Sequence, residues 1–190
     1  MAMEGGLILM HQVSKPPQRG VARSLAPMGL QDNAGNPLKL GNLHQSFSCV
    51  HPPSCREALQ RVVSAVTASA FAMHLDVVRS EGSEPGNIHV QFADSGKKPY
   101  GMVKLQTELL SLYAKEGIHD TVMHSAHLTL NYFAQRRIKP IHVTPVTLIV
   151  DTIELVEVRG RGDSYRYEPI ETLHLLPMTE PPAVQLDLLS

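Results

Sequence analysis

The sequence predicts an α+β protein: mainly antiparallel sheets flanked by helices, in two pseudo-symmetric lobes with the site in the central cleft. Three observations carry this. Several short stretches alternate apolar and polar residues, as half-buried strands do. Two stretches repeat apolar residues at helical spacing instead. A short pattern of His, any residue, hydroxyl residue and apolar residue occurs twice, in strand-like context in distant parts of the chain.

Taken in order, Gly6–Val13 forms a first strand and Gln18–Ala26 a short helix behind Pro16 and Pro17. Pro27–Gly41, rich in Gly, Pro and Asn, is a loop that delivers the chain to a strand over Leu40–Val50. His51-Pro52-Pro53 ends that strand. Ser54 and Glu57 then stand at capping-box spacing ahead of Ala58, Leu59, Val62, Val63 and Val66, which predicts a helix over 54–69.

Phe71, Met73, Leu75 and Val77 alternate with polar or small residues, as do Ile88, Val90 and Phe92, with a polar turn over Glu81–Gly86 between them. This reads as an antiparallel hairpin. Residues 98–116 form the strongest helix, with a stripe of Met102, Leu105, Leu109 and Leu112 widened by Val103, Leu110 and Tyr113, and Gly117 as its cap. After a loop over His119–Ser125, the strand holding the second pattern runs to about Phe133. Pro140 and Pro145 predict an irregular stretch, followed by a long strand Val146–Val158 whose apolar phase slips near Leu155/Val156. Gly160–Asp163 turns into a last strand, Tyr165–Leu176. Residues 1–177 make a single two-lobed domain, and 178–190, with three prolines in Pro177–Ser190, a C-terminal tail.

Composition excludes several classes. At 190 residues with 43% hydrophobic and 18% charged side chains, the chain can bury a sizeable core. A net charge of −1 leaves no basic footprint for a long nucleic acid, so any nucleic-acid substrate would be held mainly at a short end. The two cysteines, Cys49 and Cys55, are too few for a disulfide framework; both read as reduced thiols, with Cys49 on the apolar face of its strand. The start of the chain has no basic residue, Leu7–Met10 is too short an apolar run for a signal peptide, and no stretch is long enough to span a bilayer. A cytoplasmic protein, acting as a monomer and away from membranes, is expected.

The chemistry lies in the repeated pattern: His44-Gln45-Ser46-Phe47 and His127-Leu128-Thr129-Leu130. Strand alternation puts His44 and Ser46 on one face, and likewise His127 and Thr129. Gln45, Phe47, Leu128 and Leu130, three of them apolar, face the other way. Two imidazoles and two hydroxyls converging from separate strands suit acid–base work on an anionic group.

With these residues the sequence resembles the two-histidine (2H) phosphoesterase superfamily, in its bacterial 2′-5′ RNA ligase-like and cyclic phosphodiesterase branch. The likeness covers roughly residues 5–177, including a helix after the first motif, a hairpin and long helix before the second, and Pro145-Val146-Thr147-Leu148-Ile149-Val150-Asp151 behind it. Ser46 stands where the family more often has Thr, and Ala126 where it often has Pro. Gly20 falls in a short first helix, and the tail is extra. The resemblance implies a metal-independent hydrolase, without a cofactor, that opens 2′,3′-cyclic phosphates of RNA ends or nucleotides. It also implies the reverse joining of a 2′-5′ linkage. His44 and His127 would be acid and base, with Ser46 and Thr129 donating to phosphate oxygens.

Two other readings compete. The same scaffold could serve as a non-catalytic module that binds nucleotides or RNA ends. A metal-dependent hydrolase would draw on His124, His127, His119 and His142. A third motif-like match, His142-Val143-Thr144, lies between prolines and lacks the apolar fourth residue. His51 could line the cleft mouth, His74, His89 and His174 read as strand-edge or loop residues, and Arg136, Arg137 and Lys139 read as a solvated loop that could hold an RNA end.

Overall fold

The computed structural model describes residues 4–26, 36–37, 40–84, 87–160 and 164–179. Two antiparallel sheets carry the molecule. The first has β1 (Leu7–Gln12), β3 (His44–Ser46), β8 (Thr152–Arg159) and β9 (Arg166–His174) in the order β3-β1-β8-β9. The second has β2 (Asn36–Pro37), β4 (Phe71–Glu81), β5 (His89–Ala93), β6 (His127–Tyr132) and β7 (Ile141–Val150) in the order β2-β6-β5-β4-β7. Each sheet contributes one motif strand, β3 at the edge of the first and β6 inside the second. The predicted α+β, two-lobed class is the one observed.

Three helices cover these sheets. α1 (Lys15–Leu25) packs on β7, α2 (Arg56–Ala65) on β8, β9 and α3, and α3 (Tyr100–Lys115) on β4. One core joins both sheets. Leu7, Leu9, Phe47 and Leu155 enter it from the first, and Met73, Leu75, Phe92 and Leu128 from the second. Leu59, Val62 and Val63 of α2 and Met102, Leu105, Leu109 and Tyr113 of α3 close it. Each such leucine or phenylalanine contributes roughly 1.5–3 kcal/mol by leaving water. A second, smaller cluster of Ile8, Met10, Val156, Val158 and Tyr167 lies on the opposite face of the first sheet. That face carries His44 and Ser46.

Several boundaries differ from the sequence reading. α1 begins at Lys15 rather than Gln18, because both prolines fit its first turn. The first motif strand is only His44–Ser46; Leu40–Asn42 is a 3₁₀ turn. Beyond it the ladder with β1 continues irregularly, the Ser48 hydroxyl accepting the Leu9 N–H at 2.9 Å in place of a carbonyl. The capping box does not form. Pro53–Cys55 is a 3₁₀ turn, so Cys55 takes the N-cap position and Ser54 stands one residue too early. α2 stops at Ala65, four residues before its predicted end, where Thr67 gives its N–H and hydroxyl to Glu108 of α3. On α3, Val103 is exposed rather than part of the buried stripe, while Gly117 ends the helix at φ +69°.

The stretch holding Pro140 and Pro145 is not irregular. Ile141–Val150 is one edge strand, and its register with β4 skips between Leu75↔Val146 and Val77↔His142. The skip spans Pro145, which has no N–H to give, and an edge strand tolerates it. The single strand expected over Val146–Val158 is two strands in different sheets, and the chain crosses between them at Asp151. The phase slip at Leu155/Val156 is real, but the extra residue, Ile170, lies on β9. Cys49 is exposed rather than on a buried face. The Gly160–Asp163 turn, most of the 27–41 loop and the tail beyond Thr179 fall largely outside the described residues.

Candidate active site

β3 and β6 lie side by side, bridged by one side chain. Gln45 accepts the His127 N–H through Oε1 at 2.8 Å and donates from Nε2 to the Ser125 carbonyl at 3.2 Å. This brings the two motifs together at the junction of the sheets.

Each motif imidazole is held by a backbone carbonyl two residues earlier. His44 Nδ1 lies 2.8 Å from the Asn42 carbonyl and His127 Nδ1 3.0 Å from the Ser125 carbonyl. A carbonyl only accepts, so Nδ1 carries the proton on both rings and Nε2 keeps its lone pair. The His44 ring also packs edge-on to Tyr167, centroids 4.8 Å apart.

His44 and Ser46 line a cavity of about 420 Å³, with His124, His89, Tyr132, Phe133, Tyr165 and Tyr167 among the other walls. His127 and Thr129 stand beside that cavity and form none of its wall. Thr129 is buried, with the Tyr132 phenol close to it. Strict alternation would send Tyr132 to the face opposite Thr129. A bulge prevents this: Val90 pairs with Asn131 and Gln91 with Thr129, leaving Leu130 as an extra residue that returns Tyr132 to the site face. Phe133 follows at φ 58°, a left-handed conformation costly for a bulky residue, and its ring reaches the cavity.

The electrostatics are those of three neighbouring imidazoles short of water. Burial lowers the pKa of His44, with the charge of His124 adding to the effect. Burial lowers that of His127 to about 4, and His124, His44 and Arg79 push the same way. His124 is lowered by burial as well. Among the described residues, the cavity wall contains no Lys or Arg. At neutral pH the His127 ring is therefore uncharged.

Some candidates go elsewhere. His51 is buried against Asp120 at 3.1 Å rather than at a cleft mouth. Burial favours protonation of Asp120, but the His51 ring beside it and hydrogen bonds from the Val122 and Cys49 N–H groups outweigh it and hold its carboxyl at about 2. His142 is exposed on edge strand β7, outside the cavity, and Arg136, Arg137 and Lys139 are exposed. Among the described residues, no group of three or more His, Cys, Asp and Glu side chains is arranged to hold a metal ion. His124, weighed only as a metal ligand, turns out to line the cavity, and so does His89, read as a strand-edge residue. Tyr165, just before β9, and Tyr167 within it line the cavity too, and their alternation in the sequence is the signal that could have found them. A larger open groove of about 570 Å³ lies between the starts of β4 and α3, and neither motif contributes to it.

No protein-family model and no curated protein matches the sequence. Solved structures do match. A structure described as a phosphoesterase superposes with TM-score 0.71 at 17% identity, over 90% of this chain and 99% of its own. LigT of E. coli, in apo form, gives 0.71 at 18%, over 92% and 99%. A protein of Thermus thermophilus gives 0.70 at 14%, over 90% and 98%. The fold is that of the LigT-like phosphoesterases, as the two motifs lead one to expect. Among the described residues, no helix is long and apolar enough to cross a membrane.

Proposed function

We propose that the chain is a two-histidine phosphoesterase that opens 2′,3′-cyclic phosphates of RNA ends or nucleotides. The observation that carries this is the matched pair of imidazoles, each pinned at Nδ1 by a carbonyl and left with Nε2 for chemistry. Opening a cyclic phosphodiester requires one group to take a proton from water and another to give one to the departing sugar oxygen. Neutral His127 suits the first task. An incoming phosphate offsets the burial that disfavours charge, so a neighbouring imidazole gains the proton needed for the second. Ser46, Thr129 and Tyr132 supply hydroxyls for the phosphate oxygens.

The nucleotide part of the reading rests on the cavity. Tyr132, Phe133, Tyr165 and Tyr167 offer aromatic faces for one base, and about 420 Å³ suits a nucleotide rather than a strand. LigT of E. coli has been crystallised with 3′-AMP, ATP, NADP+ and phosphate. The same acid–base pair run backwards, with an RNA 5′-hydroxyl as nucleophile, joins a 2′-5′ linkage. The test is hydrolysis of 2′,3′-cyclic AMP in EDTA by wild type and by His44→Ala and His127→Ala. Turnover by wild type alone supports the proposal. Tight binding without turnover would make this a binding module, and loss of activity in EDTA would point to a metal-dependent hydrolase.

A further inference from the structure

We infer that Gln45, the residue between His44 and Ser46, is a positioning residue whose carboxamide replaces one residue of a β-strand and fixes the two motif imidazoles relative to each other. The inference rests on reading His44 and His127 as the reacting pair, but two of its readouts do not involve turnover.

The geometry is that of a peptide group. A residue on a parallel strand gives its N–H to one carbonyl of its neighbour and accepts an N–H from two residues further along. The Gln45 amide does the same around Ala126. Nε2 donates to the Ser125 carbonyl at 3.2 Å, and Oε1 accepts the His127 N–H at 2.8 Å. β6 needs such a partner. β5 pairs with it along one edge, but on the other edge, among the described residues, β2 pairs only with Asn131 and Tyr132. Among the described residues no strand pairs with His127 on that edge, and the carboxamide fills the gap.

Two further contacts tie this bridge to the chemistry. The Ser125 carbonyl that takes the Gln45 proton also takes the His127 Nδ1 proton at 3.0 Å, so one acceptor holds both the bridge and the ring tautomer. Gln45 Nε2 donates as well to the Ser46 carbonyl at 2.8 Å, and the Gln45 backbone pairs with His11 of β1. The side chain is fully buried and both of its polar atoms are bonded. An ordinary satisfied core amide would contribute stability only. This one spans from the first sheet to the second, with His44 next to it in the chain and His127 bonded to it.

Three measurements test it. In wild type, hydrogen exchange of the His127 amide should be protected like the paired amides of β6, and fast exchange in the folded protein would overturn the bridge without any variant. Gln45→Met keeps the length and removes the amide; kcat on 2′,3′-cyclic AMP should fall about 10- to 100-fold while KM stays within about threefold. In the same variant, imidazole ¹⁵N signals should show His127 losing its single Nδ1–H tautomer while His44 keeps its own. Gln45→Asn, one methylene short, should behave like Gln45→Met. Unchanged kcat and unchanged ring signals in a folded Gln45→Met would overturn the inference. Absence of turnover in wild type would remove the proposed function, yet the exchange and ring signals would still decide the role of Gln45.

Discussion

Anion binding at this site should take up a proton, and sulfate is a clean probe because its own charge is constant over the relevant range. His127 stands at about 4 against an ordinary 6.5 because burial and the neighbouring imidazoles oppose its charge. Its folded pKa is depressed, so the free ring is neutral above about pH 4, and a bound anion shifts the pKa upward. Restored to its ordinary value, the ring would go from about 3% to about 90% protonated at pH 5.5, close to one proton taken up. Affinity should then fall nearly tenfold per pH unit from just above pH 4 to about 6.5, at most about 3 kcal/mol in all. Calorimetry in two buffers of different ionisation enthalpy counts the protons directly. His127→Ala should take up fewer, and the remainder belongs to His44 and His124, whose pKa values burial also lowers. Binding without proton uptake, or binding that tightens as pH rises through this window, would refute the reasoning.

Other outcomes follow from the same structure. His44→Ala and His127→Ala should each lower kcat about 10²- to 10⁴-fold in steady-state assays. Asp120→Asn should lower stability in denaturant titrations, because its carboxylate accepts from the Cys49 and Val122 N–H groups and lies 3.1 Å from the His51 ring. Asp120 is depressed from 3.8 to about 2, so its contribution is present above pH 3.8 and is lost as pH falls through 2. That contribution is no more than about 2 kcal/mol, and stability curves of the two proteins should converge in acid. Gly101→Ala would place a Cβ 2.4 Å from Phe71 Cβ, pushing α3 off β4; a loss of about 1–3 kcal/mol is expected, and an unchanged melting temperature would contradict the close packing.

The sequence by itself determined the periodic elements and the pairing of motifs. Hydrophobic alternation in Phe71–Val77 and the Met102–Leu105–Leu109 stripe each report burial of a whole face, a property that neighbours along the chain express. The two His-x-hydroxyl patterns were legible for the same reason, since alternation alone aims His and hydroxyl together. What lay beyond reach depended on contacts between distant segments. Glu108 stopped α2 by capturing Thr67, and Asp151 divided one apolar run between two sheets. The unpaired Leu130 turned Tyr132 back toward Thr129. Gln45 looked like the one polar blemish on an apolar face, and only the approach of β6 gave its amide a Ser125 carbonyl and a His127 N–H to join. Periodicity records which side of an element is buried. Which polar groups complete each other across the junction of two sheets is set by the packing of those sheets, and no stretch of sequence contains it.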